Sequence, residues 1–230
     1  MKFQEIPAFV ISCKGDEERR SATEKRFQEQ GLAFTFFDAS DGHHLPAEVF
    51  EAENIFLEHP GARGVTLSHM RLWRKMVEED IPLMAIYEDD VIFHRQFLYF
   101  ADVMWNMTAH RDSSISFMGY CCYHGGKGHR EMKPGVHEFF PMALHAYIIS
   151  RPVAIWFLEN LGKVVESIDI QMQKVYQTLK PDFKSYVWWN GVFMELEQKS
   201  KRFDVYFNGF CYQDHSIQLS IHRDRDEDQK

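Results

Sequence analysis

The sequence predicts an α/β fold, a mostly parallel sheet with helices on both faces. Short apolar runs such as Ala8-Phe9-Val10-Ile11-Ser12-Cys13 and Leu83-Met84-Ala85-Ile86-Tyr87 read as buried strands. Stretches with helical spacing stand between them, and that alternation is the pattern of a parallel sheet with crossover helices. The length of 230 residues suits one sizeable domain, here expected over residues 1–222, followed by a solvated charged tail at 223–230.

Taken in order, the first strand follows Pro7, and Lys14-Gly15-Asp16 turns the chain. Residues 17–30 form a surface helix with few apolar positions (Ala22, Phe27), stopped by Gly31. Phe34-Thr35-Phe36-Phe37 is a second strand, closed by Asp38-Ala39-Ser40-Asp41-Gly42, whose Asp-Gly pair signals a turn. Residues 43–64 read as irregular, with Pro46 and Pro60. Thr66 or Ser68 then caps a helix whose positions His69, Leu72, Trp73 and Met76 make one buried face. Asp80-Ile81-Pro82 breaks that helix before the strand that ends in Glu88-Asp89-Asp90. Further strands are expected at Ile115-Ser116-Phe117-Met118-Gly119 and within 139–150. Pro152 opens a helix through Trp156 and Leu161, and 168–179 has helical spacing up to Pro181.

Composition excludes some classes of function. Charged groups sum to −8, a poor match for wrapping nucleic acid or for a broad basic face on anionic lipid. Cys13, Cys121, Cys122 and Cys211 have neither C-x-x-C spacing nor the density of a disulfide scaffold, so free thiols in a reducing compartment are expected. The polar N-terminus does not resemble a signal peptide, and no apolar run approaches membrane-spanning length. A cytoplasmic location is the expectation.

Three consecutive carboxylates after an apolar strand repel one another, and partial burial adds a desolvation cost. A divalent cation with hard oxygen preference, Mn²⁺ or Mg²⁺, removes both penalties; a solvated acidic turn is the other reading. Ligands of open parallel sheets sit beyond the carboxyl ends of the strands, which is where the triplet falls. The Gly-rich stretch 119–128 fails the Walker A pattern because Gly128 follows Lys127. His43, His44, His124, His129 and His137 lack zinc spacing and read as loop residues; His69 and His145 sit in apolar context as core histidines. No nucleophile arrangement surrounds the serines or cysteines.

Several segments, in order, resemble glycosyltransferase family 25. They are Val10-Ile11-Ser12 with Arg19-Arg20, Phe37-Asp38-Ala39-Ser40-Asp41-Gly42, and Gly64-Val65-Thr66-Leu67-Ser68-His69 with Leu72-Trp73. Next come Ile86-Tyr87-Glu88-Asp89-Asp90-Val91, Phe117-Met118-Gly119, His145-Ala146-Tyr147-Ile148-Ile149-Ser150 and Ser167-Ile168-Asp169. The match is weakest between Gly125 and Phe139 and after Trp189.

The resemblance implies a GT-A-like fold, a UDP-galactose or UDP-glucose donor, an inverting transfer and a lipid-linked oligosaccharide acceptor met at the cytoplasmic face of the inner membrane. It implies Ile11, Ser12, Arg19, Arg20, Asp41, Ser68, His69, Glu88 and Asp89 around the donor, and a metal on Asp90 and Glu88 with His215 as a further ligand. Inversion needs a base on the acceptor hydroxyl, for which Asp169 and then Asp214 are the candidates; a helix-capping role competes for Asp169. Trp188 and Trp189 are candidates for stacking on the acceptor sugar, with core packing as the competing role. A nucleotidyltransferase using the same acidic site, and a non-catalytic nucleotide-sugar- or carbohydrate-binding domain, are the alternative functions.

Overall fold

The computed structural model describes residues 1–123, 135–189, 205–209 and 211–213. The chain forms a mixed sheet of eight strands. Its path runs β2 (Thr35–Asp38), β1 (Ala8–Ser12), β3 (Leu83–Glu88), β7 (Met142–Ser150), β5 (Ser114–Tyr123), β8 (Lys184–Trp189) and β6 (Gly135–Glu138), with β9 (Val205–Gly209) also paired to β5. A separate ribbon joins β4 (Val91–Phe93) to β10 (Cys211–Gln213). β2, β1 and β3 are mutually parallel, as are β5 and β8, whereas β7 runs antiparallel to both its neighbours. The α/β class is as expected, and β3 pairs in parallel with β1 on one side and antiparallel with β7 on the other. An apolar run such as 142–150 marks a strand but carries no sign of its direction.

Both faces of the sheet are covered. Phe9, Ile11, Met84, Ile86, Tyr147 and Ile149 point into one core, shared with α3 (Pro60–Glu78), α5 (Arg151–Asn160) and α6 (Ile168–Leu179). The alternate residues Val10, Leu83, Ala85, Tyr87, Ala146 and Ile148 point into the other, under α1 (Glu17–Glu29) and α4 (Phe97–Met107). That period-two division accounts for strands apolar at nearly every position. In β5 the register against β7 slips between Phe117 and Gly119, a bulge that turns Met118 to one core and Tyr120 to the other.

The helix starts illustrate what pattern alone misses. α3 begins at Pro60, six residues before Thr66, and its cap is His59, whose Nδ1 accepts from the Ala62 amide at 3.4 Å. Thr66 and Ser68 are buried within the helix and do not cap it. Pro60, Gly61 and Gly64 read as loop residues, yet proline is preorganised for a first helical turn, and Gly64 serves packing. A Cβ on Gly64 would stand 2.4 Å from the Ser40 carbonyl oxygen, and one on Gly42 would stand 1.7 Å from that of Pro60. The turn after β2 therefore lies backbone to backbone on the first turns of α3. The region expected to be irregular also holds α2 (Ala47–Ala52), and residues 91–107, unassigned by pattern, form β4 and α4.

α1 matches its expected bounds. Asp16 caps it by accepting from the Arg19 amide at 3.2 Å, and Gly31 leaves it in left-handed geometry with φ +64°. Its one fully buried apolar side chain is Phe27, whose ring meets those of Phe34, Tyr87 and Phe93 at centroid distances of 4.3, 5.2 and 4.9 Å. We expect Phe27→Ala to cost about 3–5 kcal/mol, read as a lowered urea midpoint with an unchanged slope.

Candidate functional site

The carboxyl ends of β1 and β3, the first turn of α1, the turn after β2 and the first turns of α3 enclose a cavity of about 480 Å³. Eight expected residues line it: Ile11, Ser12, Arg19, Asp41, Ser68, Glu88, Asp89 and Asp90. Arg20, His69 and Asp169 do not. Arg20 pairs with Asp38 at 2.5 Å, donates to the Ser12 carbonyl at 3.2 Å and lies over the Phe36 ring, so it ties β1 to β2. His69 is buried behind Glu88. Asp169 sits in the first turn of α6, two residues after the N-cap position Ser167, and accepts from the Ala143 amide at 3.0 Å; Ala143 is left-handed at φ +72°, so the carboxylate braces the start of β7. Asp214 and His215 lie outside the described residues. Trp188 is wholly buried and donates to Thr108 Oγ1 at 3.2 Å, a core residue; the Trp189 side chain lies outside the described residues.

The three carboxylates have different surroundings. Glu88 is one-fifth exposed and faces His69 Nε2 at 3.5 Å. Asp89 is held by α1: Arg19 forms an ion pair with its carboxylate, and its carbonyl accepts from Thr23 Oγ1 at 2.8 Å and from Arg26 at 3.2 Å. Residues 19, 23 and 26 occupy one face of the helix, which explains why a helix with so few apolar residues docks at all. Burial raises the Asp89 carboxyl above its ordinary range, and the Arg19 guanidinium and the Ser12 hydroxyl offset this only in part. Asp90 is raised much further, by burial first and then by the charges of Glu88 and Asp89. Its Oδ1 is buried with no hydrogen-bond partner among the described residues.

Opposite these acids, Asp41 Oδ1 accepts from the His43 and His44 amides at 2.8 and 3.2 Å, and its Oδ2 meets His44 Nδ1 at 2.7 Å. Burial pushes the Asp41 carboxyl up, but these hydrogen bonds outweigh it and leave the group below its ordinary value. Ser68 Oγ accepts from the Ser40 amide at 2.8 Å and donates to the Gly64 carbonyl at 2.6 Å, holding the turn after β2 to α3. Cys13, Asp16, His43, His44, Gly61 and Val65 also line the wall. Their one signal in the sequence is that each lies within a few residues of a motif residue.

A carboxylate oxygen buried without a partner beside a second cavity-facing carboxylate suits a hard divalent cation. Among the described residues no group of three or more His, Cys, Asp or Glu side chains is placed to hold an ion alone. Mg²⁺-type ions commonly rest on one or two carboxylates, with water and substrate phosphate oxygens completing the shell. Asp90 and Glu88 fit that donor set.

The family profile described as glycosyltransferase family 25 (LPS biosynthesis protein) matches residues 5–121, just over half of the chain, and that span contains every cavity-lining residue. The chain belongs to glycosyltransferase family 25. Among curated relatives, the lipooligosaccharide biosynthesis protein lic2B of Haemophilus influenzae is 34% identical over 88 residues, covering 36% of this chain and 33% of its own. The lacto-N-neotetraose biosynthesis glycosyltransferase LgtB of Neisseria gonorrhoeae is 35% identical over 92 residues, covering 36% and 32%. The aligned part thus spans about a third of these relatives' length. Among solved structures, a glycosyltransferase involved in glycosylation of the major capsid of PBCV-1 aligns over 79% of this chain and 80% of its own, with 8% identity and a TM-score of 0.44.

Within this family member, the Arg19–Asp89 pair joins α1 to the site, with side chains only 12% and 8% exposed. Removing the cation leaves a buried carboxylate without its charge partner. We expect Arg19→Ala to destabilise the fold by about 3–5 kcal/mol in urea denaturation, more than its surface position on a polar helix suggests.

Proposed function

We propose that this chain transfers galactose or glucose from a UDP-sugar to a hydroxyl of a lipooligosaccharide acceptor glycan, with inversion at the transferred carbon. The observation that carries the reading is the buried Asp90 Oδ1, unpartnered among the described residues, beside Glu88 on the wall of a cavity at the carboxyl ends of the parallel strands β1 and β3. Asp90 and Glu88 are the residues that would hold Mn²⁺ or Mg²⁺. Such an ion supplies charge neutralisation for a leaving diphosphate.

The chain's own residues supply binding and order. Gly61, in the first turn of α3, lines the cavity, and a helix N-terminus is a favourable setting for phosphate oxygens. Arg19, held by Asp89, keeps a cation at the same wall, while Ser12 and Asp41 offer hydroxyl and carboxylate contacts to a nucleoside. Asp169 is committed to Ala143, so the base role falls to Asp214 in this reading. Support comes from β10, which ends at Gln213 opposite Val91, one residue from Asp90; Asp214 and His215 are next in the chain. The acceptor is lipid-linked in this reading, and the chain meets it at the cytoplasmic face of the inner membrane by peripheral contact. No described helix is long and apolar enough to cross a membrane.

The test is UDP release from UDP-galactose and UDP-glucose with and without Mn²⁺, in the presence of a lipooligosaccharide acceptor. Release of pyrophosphate from a nucleoside triphosphate, with no UDP formed, sinks the reading. We expect Asp90→Ala to lower turnover by about 100-fold or more. Asp90→Asn removes a charge that burial penalises, and is expected to raise the stability of the ligand-free protein by about 0.5–2 kcal/mol, measured by urea denaturation.

A further inference from the structure

Behind the cavity wall, three side chains that the proposed reaction does not itself require lead to Glu88. Trp73 Nε1 stands 3.0 Å from the Tyr147 hydroxyl, that hydroxyl stands 2.9 Å from His69 Nδ1, and His69 Nε2 stands 3.5 Å from Glu88 Oε1. Trp73, Tyr147 and His69 are fully buried. The backbone arranges them: His69 and Trp73 are one turn apart on α3, Tyr147 of β7 lies opposite Ile86 of β3, and Glu88 follows Ile86 on the same face.

The direction of the chain follows from what each group can do. An indole N–H only donates, so the Tyr147 oxygen accepts from Trp73. The hydroxyl proton of Tyr147 then needs an acceptor, and of its two partners only His69 Nδ1 can serve. A lone pair on Nδ1 puts the ring proton on Nε2, aimed at Glu88. The reverse tautomer would strand the Tyr147 proton in the core and turn an Nε2 lone pair toward a carboxylate oxygen, two unfavourable terms together. Burial also holds the Tyr147 phenol well above its ordinary range, so it keeps its proton.

We propose that Trp73, Tyr147 and His69 form a one-way hydrogen-bond relay that fixes His69 as the Nε2–H tautomer and anchors Glu88 Oε1 from behind. His69 and Tyr147 are thus positioning residues for Glu88. This deepens the proposed function by giving a buried histidine a role in it, and it rests on that reading only for the role of Glu88, not for the tautomer.

The decisive measurement is a two-bond proton–nitrogen correlation spectrum of the ¹⁵N-labelled, full-length chain near neutral pH. His69 is expected to show a pyrrole-type Nε2 and a pyridine-type Nδ1. A proton on Nδ1, alone or together with one on Nε2, overturns the relay. Tyr147→Phe removes the donor to Nδ1 and keeps the ring, and should weaken the preference for that tautomer, since only Glu88 then favours it. In transfer assays, His69→Leu is expected to lower turnover by about tenfold, the usual scale for losing a group that orients a metal-site ligand. His69→Gln retains a donor and should keep most of the turnover. Equal loss in both, at equal thermal stability, also overturns the proposal. The expected tautomer in a chain that transfers no sugar supports the relay and defeats the transferase reading; the opposite tautomer in an active chain defeats the relay alone.

Discussion

The structure turns on the placement of three consecutive carboxylates at the end of β3, where the parallel strands meet the antiparallel β7. Side chains alternate at the end of β3, so the fold meets each carboxylate from a different direction. Glu88 shares a face with Ile86 and is met by His69 from α3. Asp89 turns to the opposite side and is gripped by α1 through Arg19, Thr23 and Arg26. Asp90 receives no comparable partner among the described residues, although it is as deeply buried as Asp89. Two acids thus have partners in the scaffold, and the third is left with a burial cost that a proton or a cation would remove. Such local disagreement with the rules of folding is expected where a site does chemistry.

The same arrangement explains α1, which looks poorly equipped to pack. It offers a single large apolar anchor, Phe27, and a polar face that in isolation suggests a solvated surface helix. Its docking depends on satisfying a buried carboxylate and a buried carbonyl. The site and the fold are therefore coupled along this helix.

β1, β3, β5 and β7 were legible because burial on both faces demands apolar runs, and α1, α5 and α6 were legible because turn residues, Pro152 and helical spacing agree. The start of α3 was hidden: Pro60, Gly61 and Gly64 signal a loop locally, and only contact with the turn after β2 shows why glycines stand in a helix. The direction of β7 was equally hidden, since pairing partners are chosen far along the chain. In the site, Glu88, Asp89 and Asp90 announced themselves by charge density. The partition of their roles did not, because it depends on which helix each side chain meets. Asp169 shows the converse: its motif position suggested a base, whereas the strained backbone at Ala143 supplies it with a structural task.

The seam between Gly42 and Gly64 has a consequence for how such a cavity diversifies. Where side chains separate two walls, lengthening or trimming them widens or narrows the gap, and selectivity can drift by small steps. Here the spacing is set by main-chain atoms of residues 40, 42, 60 and 64 in direct contact, clamped by Ser68. Mutation beside this seam can repaint the surface without moving it, whereas any side chain at Gly42 or Gly64 would force the two backbones apart. Discrimination among ligands of different bulk must therefore be written on the other flank, leaving this one as a fixed gauge.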